Sequence, residues 1–415
     1  MSTVTVRRLD ELDDVEDGLR RYYTADAAAF GGPFDAAQLE AKRGLIRPDR
    51  FYLAELDGVT AGGTGSFPLE LTLPGGARVA TAAVSDVGVV PSHRRRGVVS
   101  ALIARQLADA AERGEVLAVI HASEGGIYQR FGFGPATRWR QLLAAARRVE
   151  FRDDWPDPGG SLQVLALHDA GEPCRSVHDR ARRAAPGGLS RNDAWWDVVL
   201  GTTVTYIGGS DRRLVMVHRD DDGEPDGYAI YEVHEDWSRG QANHRLDVWE
   251  LVGTSTGVEL ALWRAVLSHD LVATVRGPIA VDHALWDVVL DARQVGIVWD
   301  QDLLWARVLD VPTVLSARTY RGSGRLVLEV DDPLMDSVGG RFALELDEGA
   351  ATCTSVDEPA DLTLSVADLG AVCLGGGSLR RLVRAGRVQV HTEGAAATAD
   401  GWLSVDPLPW CWVRF

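Results

Sequence analysis

Val87-Gly88-Val89-Val90-Pro91-Ser92-His93-Arg94-Arg95-Arg96-Gly97-Val98-Val99-Ser100 reads as a strand that ends in an arginine- and glycine-bearing turn and then opens a helix. Such a turn aims several backbone N–H groups at one point, at the positive end of a helix dipole. That arrangement is a pyrophosphate seat. It is not a nucleoside-triphosphate loop, because no G-x-x-x-x-G-K-[ST] occurs and Lys42 is the only lysine of the chain. Nor is it a dinucleotide fingerprint, since no G-x-G-x-x-G follows the strand. Arginines before a helix can be mere solvated surface, but the flanks argue otherwise. Val87, Val89 and Val90 form a β-branched run, Pro91 stops it, and Ala101, Leu102, Ala104, Arg105 and Ala108 continue as a good helix.

A second informative stretch follows the next strand, His121-Ala122-Ser123-Glu124-Gly125-Gly126-Ile127-Tyr128-Gln129-Arg130-Phe131-Gly132-Phe133-Gly134. It puts Tyr128 in a short glycine-bounded helix that can face the same ligand.

The chain has 415 residues, too many for one core, so two or three domains are expected. Its 46% hydrophobic and 25% charged residues are those of an ordinary globular protein. No stretch approaches the roughly 18 consecutive apolar residues of a membrane span. The opening residues lack the apolar core of a signal peptide, so a cytoplasmic location is expected. Cys174, Cys353, Cys373 and Cys411 are scattered without a C-x-x-C pair, which signals neither zinc nor a disulfide framework. A net charge of −17 argues against nucleic acid and suits cationic substrates. His218, His234 and His244 lack metal-ligand spacing and read as surface; Trp195, Trp196, Trp249 and Trp263 read as core or interface.

Thr3–Leu9, Phe51–Leu56, Thr60–Leu73, Arg78–Val90, Val116–His121 and Pro135–Leu143 read as strands of a first domain, with helices over Leu12–Ala29 and Asp35–Ile46. Pro74-Gly75-Gly76 is a hairpin signal. Residues 148–160 have linker composition. Beyond them, strand Leu246–Val252 and helix Gly257–Ser268 echo the first strand–turn–helix without its arginines. From residue 303 a smaller α+β region follows.

These motifs resemble the Eis (enhanced intracellular survival) family of acetyltransferases, within the GNAT superfamily. The features that carry the resemblance are P-S-H-R-R-R-G-V-V, then H-A-S-E-G-G-I-Y-Q-R-F-G-F-G-P-A-T, and a terminal aromatic, Phe415. The resemblance implies α/β and α+β architecture. A GNAT domain would span 1–147, a degenerate GNAT-like domain 161–302 and a sterol-carrier-protein-like domain 303–415. It implies acetyl-coenzyme A as donor, no metal, an amine acceptor such as an aminoglycoside or polyamine-like compound, and a homohexamer. Carried over by position, Val87, Gly88 and Val89 line the donor, Arg95, Arg96, Gly97, Val98, Val99 and Ser100 wrap its pyrophosphate, and Ser123 with Glu124 lie on the other side. Tyr128 matches the general acid and the carboxylate of Phe415 the general base.

The chemistry is consistent with those roles. An amine must be neutral to attack a thioester, and the departing thiolate benefits from a proton. Without the resemblance Tyr128 reads as a packed aromatic and Phe415 as a frayed end. Arg414 stands beside the expected base and works against a polycationic acceptor; Asp26, Asp35 or Glu40 would have to compensate. Two other readings are an acetyltransferase for a peptide lysine and a non-catalytic lipid- or coenzyme-binding protein.

Overall fold

The computed structural model describes residues 3–201, 212–347 and 350–415. They fall into two compact units, Met1–Thr137 with Leu303–Phe415, and Arg138–Asp302. Each unit is built around a seven-stranded sheet, and the first carries a further five-stranded sheet.

The first sheet begins with β1 (Val4–Arg8), β2 (Phe51–Leu56), β3 (Val59–Thr72) and β4 (Arg78–Val89), an antiparallel meander. Helices α1 (Val15–Ala29) and α2 (Ala36–Lys42) fill the long connection between β1 and β2, each opened by an aspartate cap, Asp14 or Asp35. The β3–β4 turn falls at Pro74-Gly75-Gly76, as the sequence predicts. Helix α3 (Val98–Glu112) leads to β5 (Leu117–His121), parallel to β4. A short helix, α4 (Gly125–Tyr128), and the two-residue β6 (Gly134–Pro135) end this stretch.

The next strand departs from expectation. β7 (Arg138–Ala144), read from sequence as the last strand of the first domain, pairs instead with strands of the second unit. That unit continues with β8 (Ser161–Ala166), helices α5 (Gly171–Ala184) and α6 (Asp193–Leu200), β9 (Leu214–Arg219), β10 (Pro225–His234) and β11 (His244–Gly253). Helix α7 (Thr256–Leu267), β12 (Val272–Ile279), α8 (Leu285–Val288) and β13 (Val295–Asp302) complete it, in the strand order β13-β7-β12-β11-β10-β9-β8. Conversely β14 (Leu304–Val308) enters the first sheet, antiparallel to β5 and β6. The two sheets therefore share one plan, four antiparallel strands and then a parallel pair, and the first is finished by β14, which lies beyond its own contiguous stretch.

In the second unit the start of the helix in the corresponding strand–turn–helix is capped from within the chain. Ser255 caps α7 by accepting from the Val258 N–H. The 148–160 segment lies over the same helix start: a Cβ on Gly257 would stand 3.3 Å from the Pro156 carbonyl oxygen and 3.6 Å from Pro158 Cβ. What composition marks as a linker is packed against the domain. His218 and His244, read as surface, are buried. His218 bonds the Asp226 carboxylate at 2.6 Å through Nδ1 and the Gly159 carbonyl at 3.0 Å through Nε2. Trp195, Trp196 and Trp263 are core residues, as expected.

The five-stranded sheet comprises β15 (Gly324–Asp331), β16 (Gly340–Asp347), β17 (Ala350–Ser355), β18 (Leu362–Ser365) and β19 (Gln389–Val390). It is accompanied by α9 (Val311–Ala317), α10 (Val366–Val372), α11 (Leu379–Arg384) and α12 (Ala395–Leu403). The tail after α12 is not frayed. Pro409, Cys411, Val413 and Phe415 are buried, while Arg414 faces out. This is the period-two burial of an extended segment laid on a surface.

Candidate active site

The decisive feature is where β4 and β5 part. Their parallel ladder runs from Thr81–Leu117 to Val84–Ile120 and goes no further. Just beyond, β4 bulges: Ser85 pairs with Gly65 and Gly88 with Gly63, so Asp86 and Val87 are set against Thr64 alone. Asp86 takes φ +51°, a left-handed conformation uncommon for a non-glycine residue. Bulge and splay together free the edge of Val87–Val89 from the β5 ladder and re-aim it into the gap.

The turn after β4 is a backbone cradle. Arg95 and Gly97 have φ of +61° and +83°, and Gly97 is the N-cap of α3 with no side-chain cap bond. The first N–H groups of α3 are therefore open to a ligand, the reverse of the Ser255-capped helix in the second unit. Arg95, Arg96, Gly97 and Ser100 are exposed, Val98 is buried and Val99 half-buried. Arg94 instead holds the turn in place, donating to the Ala29 carbonyl at 3.0 Å. These residues fit a coenzyme pyrophosphate: main-chain donors, a dipole of the right sign and two exposed guanidinium groups.

On the opposite side Ser123 and Glu124 lie exposed in the loop after β5, and Tyr128 ends α4, only 4% exposed. Val87 from β4 and Val99 from α3 pack against the apolar cluster that contains Tyr128, Phe131 and Phe133. Donor strand, cradle and tyrosine thus share one wall. Burial raises the Tyr128 phenol above its ordinary range, with Glu124 adding to the effect and a hydrogen bond with Ser123 opposing it. The hydroxyl is protonated at neutral pH.

The end of the chain reaches the same strand terminus. The Phe415 ring meets His121 edge to face at 4.5 Å, and His121 also shares a hydrogen bond with the Val413 backbone. Burial, then the Arg414 charge, push the His121 imidazole down to about 3, so the ring is neutral.

Of the three candidate acids, the structure gathers a cluster around one, Asp26. Asp26 on α1 faces Gly88, where a Cβ would stand 3.2 Å from Asp26 Oδ1 and 3.0 Å from Ala29 Cβ. Asp86 lies beside it, with the Lys42 ammonium 3.8 Å from Asp86 Oδ2. Burial, and then the Asp86 charge, raise Asp26 to about 7 against the pull of Lys42, and Asp26 Oδ1 is buried without a hydrogen-bond partner. The singular lysine was the available signal; its partner required the fold. Neither Asp35 nor Glu40 joins this group: Asp35 caps α2 and Glu40 bonds Arg43.

Comparison with known proteins agrees with this architecture. Residues 14–136 and 187–308 match acetyltransferase (GNAT) domain families, and residues 311–412 match the sterol carrier protein domain family. The chain is 38% identical over 350 residues to an uncharacterized N-acetyltransferase of Streptomyces avermitilis, covering 83% of this chain and 84% of that one. It is 34% identical over 345 residues to the N-acetyltransferase Eis of Mycobacterium tuberculosis, covering 81% of each. The crystal structure of Eis1 from Mycobacterium abscessus superposes with a TM-score of 0.86 at 31% identity, covering both chains completely.

Proposed function

The chain belongs to the Eis family of GNAT N-acetyltransferases, and from that premise we propose that it passes acetyl from acetyl-coenzyme A directly to an amine of a cationic acceptor, an aminoglycoside or a polyamine-like compound. The carrying observation is the gap between β4 and β5, flanked by an uncapped helix start and a buried tyrosine. In this reading Val87, Gly88 and Val89 line the acyl end of the donor, with a main-chain N–H for the thioester oxygen. Residues Arg95 to Ser100 wrap the pyrophosphate, and Ser123 with Glu124 border the other side. The amine attacks in its neutral form and its nitrogen bonds to the acetyl carbon; the Phe415 carboxylate takes the proton that this nitrogen then sheds, and the carbon–sulfur bond breaks as Tyr128 protonates the leaving thiolate. Membership in an acetyltransferase family sets aside the non-catalytic reading.

Asp26 is the acceptor's electrostatic seat in this scheme. At low pH it is neutral and offers a cation little; as pH rises through about 7 it ionises and attracts one. Acceptor kcat/KM should therefore climb through that range, and Asp26→Asn should flatten this arm while leaving the acetyl-coenzyme A KM unchanged. Thiol release over a panel of aminoglycosides, polyamines and lysine peptides, at several pH values, tests both claims. Turnover of lysine peptides alone would overturn the acceptor class, and an unaltered profile in Asp26→Asn would overturn the seat.

The protein also self-associates in this reading, as a cytoplasmic homohexamer. Edge strand β13 with its neighbour β7 exposes the apolar side chains of Leu143, Ile297, Val298 and Trp299, between 40% and 56% accessible, which burial in an interface would cover. Sedimentation at micromolar concentration should report a hexamer, shifted to smaller species by Trp299→Asp. A monomeric wild type would refute it.

A further inference from the structure

Arg307 on β14 is wholly buried, an unusual fate for an arginine. Its Nη1 donates to the Phe131 carbonyl at 2.6 Å and its Nη2 to Asp332 Oδ2 at 2.5 Å, with both side chains sealed from solvent. Phe131 ends the 3-10 turn that continues directly from Tyr128. The turn closes over the guanidinium: Gly132 has φ +82°, and a Cβ there would fall 1.6 Å from Arg307 Nη1. At the other end Asp332, in the β15–β16 connection, also accepts from the Leu334 and Met335 N–H groups at 3.0 and 3.2 Å. Leu334 and Met335 in turn pack against the cluster that holds Tyr128.

A buried ion pair is a poor way to gain stability, because desolvating two charges offsets most of their attraction. Apolar residues of similar volume would fill the space as well. They would lack a directional bond to one chosen carbonyl, here the last carbonyl of the Tyr128 turn. We propose that Arg307 and Asp332 are positioning residues for acetyl transfer: the guanidinium, oriented by Asp332, fixes the turn so that the Tyr128 hydroxyl reaches the departing sulfur. This inference rests on the Tyr128 role proposed above. It makes the third domain a working part of the first domain's active site, acting through Tyr128 and not on the substrate.

The test uses the full chain with Arg307→Met and Asp332→Leu made together, which removes both charges and leaves neither buried alone. Acetyl transfer should fall on the order of ten- to a hundredfold in kcat, the cost of a displaced catalytic group, with the KM for acetyl-coenzyme A unchanged. Added to Tyr128→Phe, the pair should cause no further loss. Arg307→Lys, which keeps a charge but lacks the guanidinium fork, should show the same kcat defect and serves if the paired variant does not fold. Wild-type kcat in the paired variant or in Arg307→Lys would overturn the proposal, as would losses that multiply with that of Tyr128→Phe. Full activity of Tyr128→Phe alone would instead remove the Tyr128 reading, and this proposal with it, before Arg307 is altered.

Discussion

Tyr128→Phe is expected to lower kcat by roughly two to four orders of magnitude, the span typical of a lost general acid. The ring would keep its place, since Tyr128 sits in an apolar cluster and meets Phe133 edge to face at 6.2 Å. Only the hydroxyl and its bond with Ser123 would go, a change of about 0.5–1.5 kcal/mol in stability. Melting temperature and acetyl-coenzyme A affinity should therefore barely move while turnover collapses. The raised phenol makes the effect insensitive to pH across the neutral range, because the wild-type group is protonated throughout. Steady-state kinetics beside a calorimetric binding titration separates these quantities. Unchanged kcat would reduce Tyr128 to a packing residue.

The second large effect is expected at the chain end. Amidating Phe415, or adding a single residue after it, should abolish acetyl transfer, again by roughly two to four orders of magnitude if the carboxylate is the base. Amidation is the sharper change, since it removes the charge and preserves the ring against His121. The tail is anchored independently by buried Cys411 and Val413, so the fold should survive either modification. A tagged protein with full kcat would sink the assignment, and the base would then be sought elsewhere in the cleft.

Much of this site was legible because its signals are local. A β-branched run, a proline and a helix-opening glycine fixed β4, the turn and α3 within about a residue, and the glycine-bounded helix located Tyr128. What escaped depends on distant partners. Arg138–Ala144 and Leu304–Val308 have ordinary strand patterns, and nothing in an alternation of side chains says which sheet will receive it. Arg307, in the run L-W-A-R-V, looks like the solvent-facing residue of a half-buried strand; only Asp332, 25 positions on, makes its burial tolerable. Asp26 was one of three candidate acids, with Asp35 and Glu40, until α1 was laid across Gly88. The 148–160 segment misled differently, since proline, glycine and aspartate mark irregular backbone whether it is free or pinned.

The late arrival of β14 also imposes a timetable. β5 cannot acquire β14 on its open edge until residue 308 has left the ribosome, nearly the whole second domain later. At about 5–20 residues per second the nascent first sheet waits roughly ten to forty seconds with that edge unpaired. During synthesis the second unit is thus an obligatory interval in the completion of the first sheet.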